Sequence, residues 1–356
     1  MNGFGLDPAS VSDELLEFNR KLLKSYSTLV QLNEVDVDST PYEVIYHEDK
    51  LKLRYYKSTH SDGKRVSTPL LICYALVNRP YMIDLEAKRS MLQRLLEQGT
   101  DVYMVDWGYP DAADRYLDLD DYINEYLNNC VDQVLQHSDA SQTNLLGICQ
   151  GGTFSLCYTA LNPDKVKNLI TMVTPVDFQT DDNLLYNLAK YVDVDLAVDT
   201  YGNLPGNMLN DSYNSLMPMR LGIQKNLGMP NQLENRETAL SFLRMEKWIY
   251  DSPDQAGEAF RQFITQFFQQ NKLIKGEAMI GEHQVNLQAI KQPVLNIFGS
   301  FDHLVPPNAS KALKPLVGSN DYQEMEIRAG HIGVFVSGSA QKKVAPAIVD
   351  WLAERD

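Results

Sequence analysis

Basic residues are scarce in this chain. Lys and Arg number 32 against 47 Asp and Glu, a formal net charge of −15 over 356 residues. The basic face of a general nucleic-acid binder is therefore missing, although an anionic small molecule would need only a local cluster of Arg and Lys. Cysteine is sparse too: Cys73, Cys130, Cys149 and Cys157 are the four. None has zinc-ligand spacing, and a chain this long is not a disulfide scaffold. No apolar run approaches the roughly 18 residues of a membrane span. The N-terminus lacks the basic start and apolar run of a secretory signal. No repeat or low-complexity tract is present. These absences leave a folded protein expected in a reducing cytoplasm, with its thiols free.

What is present reads as an α/β protein. Residues 8–33 have helical periodicity, with Leu15/Leu22/Leu29 and Leu16/Leu23/Val30 on one face. That face is expected to dock on the protein's own body, or else on a partner. The runs "YEVIYHED" and "LKLRYYKS" predict a hairpin. From "TPLLICYAL" onward, buried strands alternate with helices at 85–97, 119–136 and 150–161, and this pattern implies a mostly parallel sheet with helices on both faces. The alternation stops between about Pro175 and Ile290 and resumes with "PVLNIFGSFD" and "DYQEMEIRAGHIG". The expected organisation is an N-terminal helical segment (1–40), a core (41–175 and 290–356) and a helical cap inserted at 176–289.

One stretch carries the chemistry. In "NLLGICQGG" (144–152), Gly147, Cys149 and Gly151 have the G-x-nucleophile-x-G spacing of a nucleophile elbow, with a strand before it and a helix after it. The α/β-hydrolase fold supplies the partners later in the chain, in the order acid then histidine. Asp302 follows the strand Val294–Phe298, and His331 follows the strand around Met325–Arg328. Cys149 is thus the candidate nucleophile, His331 the general base and Asp302 the group that orients it. The backbone N–H of Gln150 is the expected first oxyanion donor, with the second near Val77 or Asn78. Cys73, Cys130 and Cys157 are expected in the core. Asp106 and Trp107 are expected to be structural, and His47, His60, His137 and His283 to lie at the surface or in loops. A thiol beside an imidazolium ionises readily. Attack on a thioester exchanges one thioester for another, so the acyl group stays activated for transfer to a hydroxyl.

"GICQGGTFSLCY", "VTPVDF", "GSFDHLVPP" and "AGHIGVFVS" together resemble the polyhydroxyalkanoate synthases. "VNRPYMIDL", "VDWGYPD" and "KWIYDSPDQ" are similar to further segments of that family. The resemblance runs from about Tyr42 to the C-terminus. It implies an acyltransferase that polymerises (R)-3-hydroxyacyl-CoA, 3-hydroxybutyryl-CoA above all, through a Cys149 thioester. The family's aspartate and histidine map onto Asp302 and His331. No separate cofactor or metal is implied, since CoA is part of the substrate and a product. So short a chain resembles the catalytic subunit of the two-component synthases, which work with a second subunit (PhaE-like in class III, which is preferred, or PhaR-like in class IV). Homodimers or hetero-oligomers and attachment to polymer granules are also implied. His303 is a candidate for substrate contact, and Arg220, Lys225, Arg236, Arg244 and Lys247 for the CoA phosphates. The alternative on the same fold is a cysteine-elbow hydrolase, a thioesterase or lactonase.

Overall fold

The computed structural model describes residues 8–30, 32, 34–219 and 224–356. The expected hairpin forms from β1 (Glu43–Glu48) and β2 (Leu51–Tyr56). The buried runs become β3 (Leu70–Cys73), β4 (Val102–Asp106), β5 (Thr143–Ile148) and β6 (Val166–Met172). A short ribbon, β7 (Met279–Ile280) with β8 (His283–Gln284), stands apart from the main sheet. β9 (Val294–Gly299) and β10 (Tyr322–Ile327) complete an eight-stranded sheet in the order β1-β2-β4-β3-β5-β6-β9-β10. β2 is antiparallel to both its neighbours, and the other pairings are parallel.

Both faces of this sheet are covered. Along β3, Leu71 and Cys73 enter one apolar cluster, and Leu70 and Ile72 enter the other. Strands buried on both sides need apolar residues at every position, so these runs show no alternation in the sequence. On one face lie α3 (Asn128–Ser138) and α4 (Gln150–Leu161), which bring Cys130 and Phe154 to the first cluster. The second holds Leu92 of α2 (Met91–Glu97) and Ile348 of the last helix, which packs on α2. The helix expected at 85–97 starts only at Met91. Ser90 caps it by accepting from Gln93 N at 2.9 Å, and donates to buried Asp84 at 2.6 Å. Asp84 also accepts from the Thr40 N–H and hydroxyl, so residues 84–90 close a loop, with one 3₁₀ turn at Ala87–Arg89, instead of extending the α-helix. The helix stops at Gly99, at φ +96°.

The inserted segment opens with α5 (Leu184–Ala189), α6 (Val194–Tyr201), α7 (Gly206–Leu216), α8 (Lys225–Gln232) and α9 (Arg236–Tyr250). Its hydrogen bonds reach residues 76–79 and Asp111, in the loops after β3 and β4. It therefore sits over the C-terminal ends of the strands. The rest behaves differently from the cap expected over 176–289. α10 (Gly257–Phe263), its π-helical continuation Ile264–Gln269 and α11 (Lys272–Lys275) pack into the first cluster, beside Trp107 and Phe154. Phe263 lies 6.0 Å from Phe154, 5.8 Å from Phe178 and 5.0 Å from Phe267, ring centre to ring centre. Such a phenylalanine cluster gains more from the core than from covering a site. α12 (Pro307–Lys311), α13 (Gly333–Val336) and α14 (Gly338–Ala353) finish the chain.

The N-terminal helix α1 (Pro8–Val30) packs on α8 and α9, but not by its leucine face. Buried Ser25 donates to Pro230 O at 3.0 Å and Lys21 to Asn231 at 2.9 Å. Leu16, Leu23 and Val30 are 65%, 73% and 65% exposed. The expectation that the leucine rows dock on the protein's own body is corrected here for Leu16, Leu22, Leu23, Leu29 and Val30; the Leu15 side chain lies outside those described.

Phe263→Ala should destabilise the protein by about 3–5 kcal/mol, the usual cost of emptying a buried aromatic site. Denaturant unfolding of the variant against the parent chain measures it.

Candidate active site

Cys149 sits between β5 and α4 at φ +54° and ψ −122°, a conformation costly for any residue with a Cβ. Its surroundings fix it there. Its N–H donates to Met172 O at 2.9 Å, and its carbonyl accepts from Gly152 N at 2.9 Å. The glycines are steric necessities. A Cβ on Gly151 would lie 2.3 Å from Cys73 O, and one on Gly152 would lie 1.8 Å from Thr174 Oγ1. One on Gly147 would meet Gly152 Cα at 2.5 Å. Helix and strand approach this closely only without side chains.

The acid and base arrive from the far side of the sheet. Asp302 follows β9 and His331 follows β10; both are buried. His331 Nδ1 and Asp302 Oδ2 are 2.7 Å apart. Asp302 Oδ1 accepts from Leu304 N at 2.9 Å and Val305 N at 3.0 Å. With the carboxylate so held, Nδ1 carries the proton that it donates, and Nε2 is left for the thiol. Burial works against a charged ring at His331. The Asp302 carboxylate, with a smaller contribution from Cys149 beside the ring, outweighs it and raises His331 from 6.5 to about 10. An imidazolium beside a thiol favours its ionisation. The other three thiols are fully buried; burial pushes Cys73 and Cys157 up to about 12 and moves Cys130 the same way. Cys149 alone of the four is partly exposed.

Gln150 begins α4, and its side chain reaches the loop after β3, where Oε1 accepts from Leu76 N at 3.0 Å. Leu76 O accepts in turn from Gln255 Nε2 at 2.9 Å. Val77 packs, partly buried, on the same cluster as Cys149. Asn78 is at φ +59°, and its side-chain amide donates to Trp248 O and Ile249 O, both at 3.2 Å, and to Ser252 Oγ at 2.6 Å. Trp248 Nε1 donates to Arg79 O at 2.8 Å, and Tyr81 Oη to Asp251 at 2.8 Å. The loop expected to hold the second oxyanion donor is thus stitched to residues 248–255 of the inserted segment. Asp106 has the expected structural role: it pairs with Arg54 at 2.5 Å and Arg79 at 2.6 Å. Trp107 donates to Tyr74 O at 2.9 Å.

The expected phosphate ligands are dispersed. Lys225 pairs with Glu246 at 2.7 Å. Arg244 pairs with Asp36 at 2.7 Å and Glu86 at 2.9 Å. Lys247 donates to Val35 O at 2.9 Å. Arg236 is exposed in the first turn of α9, and Arg220 lies outside the described residues. His303 is partly buried beside Asp302. Sequence reasoning missed Gln255 and Tyr213. Burial first, and then Cys149, holds the Tyr213 phenol above its ordinary range, and Tyr74 likewise. The signal for Gln255 was at hand in "KWIYDSPDQ" (247–255), which also holds Trp248, Asp251 and Ser252.

Sheet order, elbow and paired acid and base define an α/β-hydrolase-fold protein. The family model for that fold matches residues 68–337. Among solved structures, monoacylglycerol lipase from Paleococcus ferrophilus aligns with a TM-score of 0.55 at 17% identity, over 86% of this chain and 100% of the lipase. The enol-lactonase from Burkholderia xenovorans LB400 aligns at 0.52 and 15%, over 88% and 99%. At such identities only the fold is shared. Sequence relatives are far nearer. The poly(3-hydroxyalkanoate) polymerase subunit PhaC of Allochromatium vinosum is 53% identical over 98% of both chains. That of Thiocystis violacea is 50% identical over 100% of both, and that of Synechocystis sp. is 50% identical over 96% of this chain and 92% of its own. The chain belongs to the PhaC family of poly(3-hydroxyalkanoate) polymerase subunits. Among the described residues, no helix is long and apolar enough to cross a membrane.

Two outcomes are expected. Because His331 titrates above its unfolded value, the pair's contribution to stability is complete below about pH 6.5 and is lost as pH rises toward about 10. Asp302→Asn should flatten that limb of the unfolding free energy against pH. Gln255→Leu frees Leu76 O and loosens the loop. It should lower kcat on the order of 10²-fold with little change in KM, which steady-state CoA release resolves.

Proposed function

We propose that Cys149, His331 and Asp302 carry the acyl transfer of a poly(3-hydroxyalkanoate) polymerase, with (R)-3-hydroxybutyryl-CoA as the preferred monomer. The observation that carries this reading is the 2.7 Å His331–Asp302 pair beside a strained, partly exposed thiol. The Cys149 thiolate attacks the thioester carbonyl carbon. The resulting oxyanion is held by the Gln150 N–H and by a second amide at Val77 or Asn78. The C–S bond to CoA breaks, and the His331 imidazolium protonates the departing thiolate. The acyl group is then a thioester on Cys149. The hydroxyl of one acyl unit gives its proton to His331 and attacks the thioester carbonyl carbon of another; the C–S bond of that thioester breaks, its thiolate leaves, and the new ester lengthens the chain. His303, next to the acid, fits contact with the substrate. Arg236 fits a CoA phosphate; Lys225, Arg244 and Lys247 would first have to leave their present partners.

The relatives are subunits, so a second subunit belongs to the assembly. The PhaE-like kind is the preferred partner and the PhaR-like kind the alternative. A chain end tethered to Cys149 would hold the enzyme on cytoplasmic polymer granules, as a homodimer or hetero-oligomer. The helices over the strand ends would limit water at the acyl-enzyme and move to admit substrate.

The test is 3-hydroxybutyryl-CoA with the purified chain, following free thiol and the acyl product together. CoA release with insoluble polyester is expected, and Cys149→Ala should lower the rate by about 10⁴-fold or more. Release of soluble 3-hydroxybutyrate alone would make the chain a hydrolase.

A further inference from the structure

Helix α1 is amphipathic the wrong way round for a free-standing protein. The positions turned toward α8 and α9 are Glu17, Lys21, Ser25 and Thr28, a polar row at helical spacing. The apolar positions face solvent: Leu16, Leu23 and Val30 in one seven-residue row, Leu22 and Leu29 in the next, and Tyr26 beside them, 70% exposed. Single exposed apolar residues are ordinary, but a contiguous strip along a helix marks an interaction surface.

Spacing and charge narrow the occupant. A seven-residue apolar repeat keeps one seam facing outward, and a second α-helix follows that seam as it winds alongside. In a chain of net charge −15, residues 16–30 hold Arg20, Lys21 and Lys24 against a single carboxylate, Glu17, which pairs with Arg20 at 2.7 Å. Arg20 and Lys24 border the Leu16–Leu23–Val30 row, since 20 follows 16 by one turn and 24 adjoins 23. Two copies of this segment paired about Leu23, in either direction, would bring these cations together. A helix whose apolar seam is edged by Asp and Glu meets attraction instead.

We infer that the outer face of α1 is the docking surface for the second polymerase subunit, which covers it with an amphipathic helix edged by carboxylates. The inference rests on the subunit reading of the chain. It gives α1 a double attachment, its polar row to α8 and α9 and its apolar rows to the partner. Bound there, the second subunit would reach α9 only through α1, which packs on it; the Trp248 and Ile249 carbonyls of α9 hold Asn78.

The test places a photo-crosslinking phenylalanine analogue at Leu23 in the full chain, mixed with a purified PhaE-type second subunit. It also compares the parent chain with Leu23→Glu/Tyr26→Glu by titration with that subunit. Crosslinks to the second subunit are expected, with binding weakened about 100-fold, or about tenfold for each lost anchor. CoA release by the variant alone should match the parent. Crosslinks only between copies of this chain, crosslinks only when polyester is added, or undiminished binding by the variant would each overturn the proposal. The crosslinking arm leaves the rest of α1 native, so a misfolded double variant does not obscure the result. CoA release from the parent chain tests the polymerase reading separately, since its failure would leave the crosslinks to be read on their own.

Discussion

The structure depends on holding a residue with a Cβ where glycine would be easier. Cys149, at φ +54°, points its thiol out of the sheet only because β5 and α4 meet almost without side chains between them. Gly147, Gly151 and Gly152 let the helix start against the carbonyls of Cys73 and Tyr74 and the side chain of Thr174. Strain at the nucleophile is thus offset by packing and hydrogen bonds elsewhere in the core. The same turn starts α4 at Gln150, directly after Cys149. One local constraint therefore sets the proposed nucleophile and half of the proposed oxyanion site.

The other half is set from above. Leu76 is gripped on both backbone groups, by Gln150 of the elbow and Gln255 of the inserted segment. Asn78 and Arg79 hold the end of α9 over the same loop. The end of α9 and the loop after β3 are thus joined by polar contacts, and Arg79 ties that loop to Asp106 at the end of β4. Electrostatics completes the site, since Asp302 is fixed by three hydrogen bonds and in turn fixes the charge and orientation of His331.

The elements that chemistry or double burial dictate were legible in the sequence. Cys149, Asp302 and His331 each follow a strand in the order that this fold imposes, and the structure brings the latter two to 2.7 Å. What failed depended on three-dimensional choice. Periodicity identified the leucine rows of α1 but could not tell which side the body takes, and Ser25 took it. The stacked phenylalanines of α10 marked a helix without revealing that it joins the core. Counting cations could not show that Arg244 is occupied by Asp36 and Glu86. Tyr213 left no signal, because its closeness to Cys149 arises from the path of the inserted helices.

The burial of three of the four cysteines has an analytical consequence. Cys73, Cys130 and Cys157 are closed to solvent and held as thiols, so toward an alkylating reagent the folded chain presents a single reactive sulfur. On the proposed mechanism, reagent consumed per chain then counts acyl-accepting sites directly. In an assembly of many copies, the fraction refractory to label becomes a census of sulfurs already carrying an acyl group.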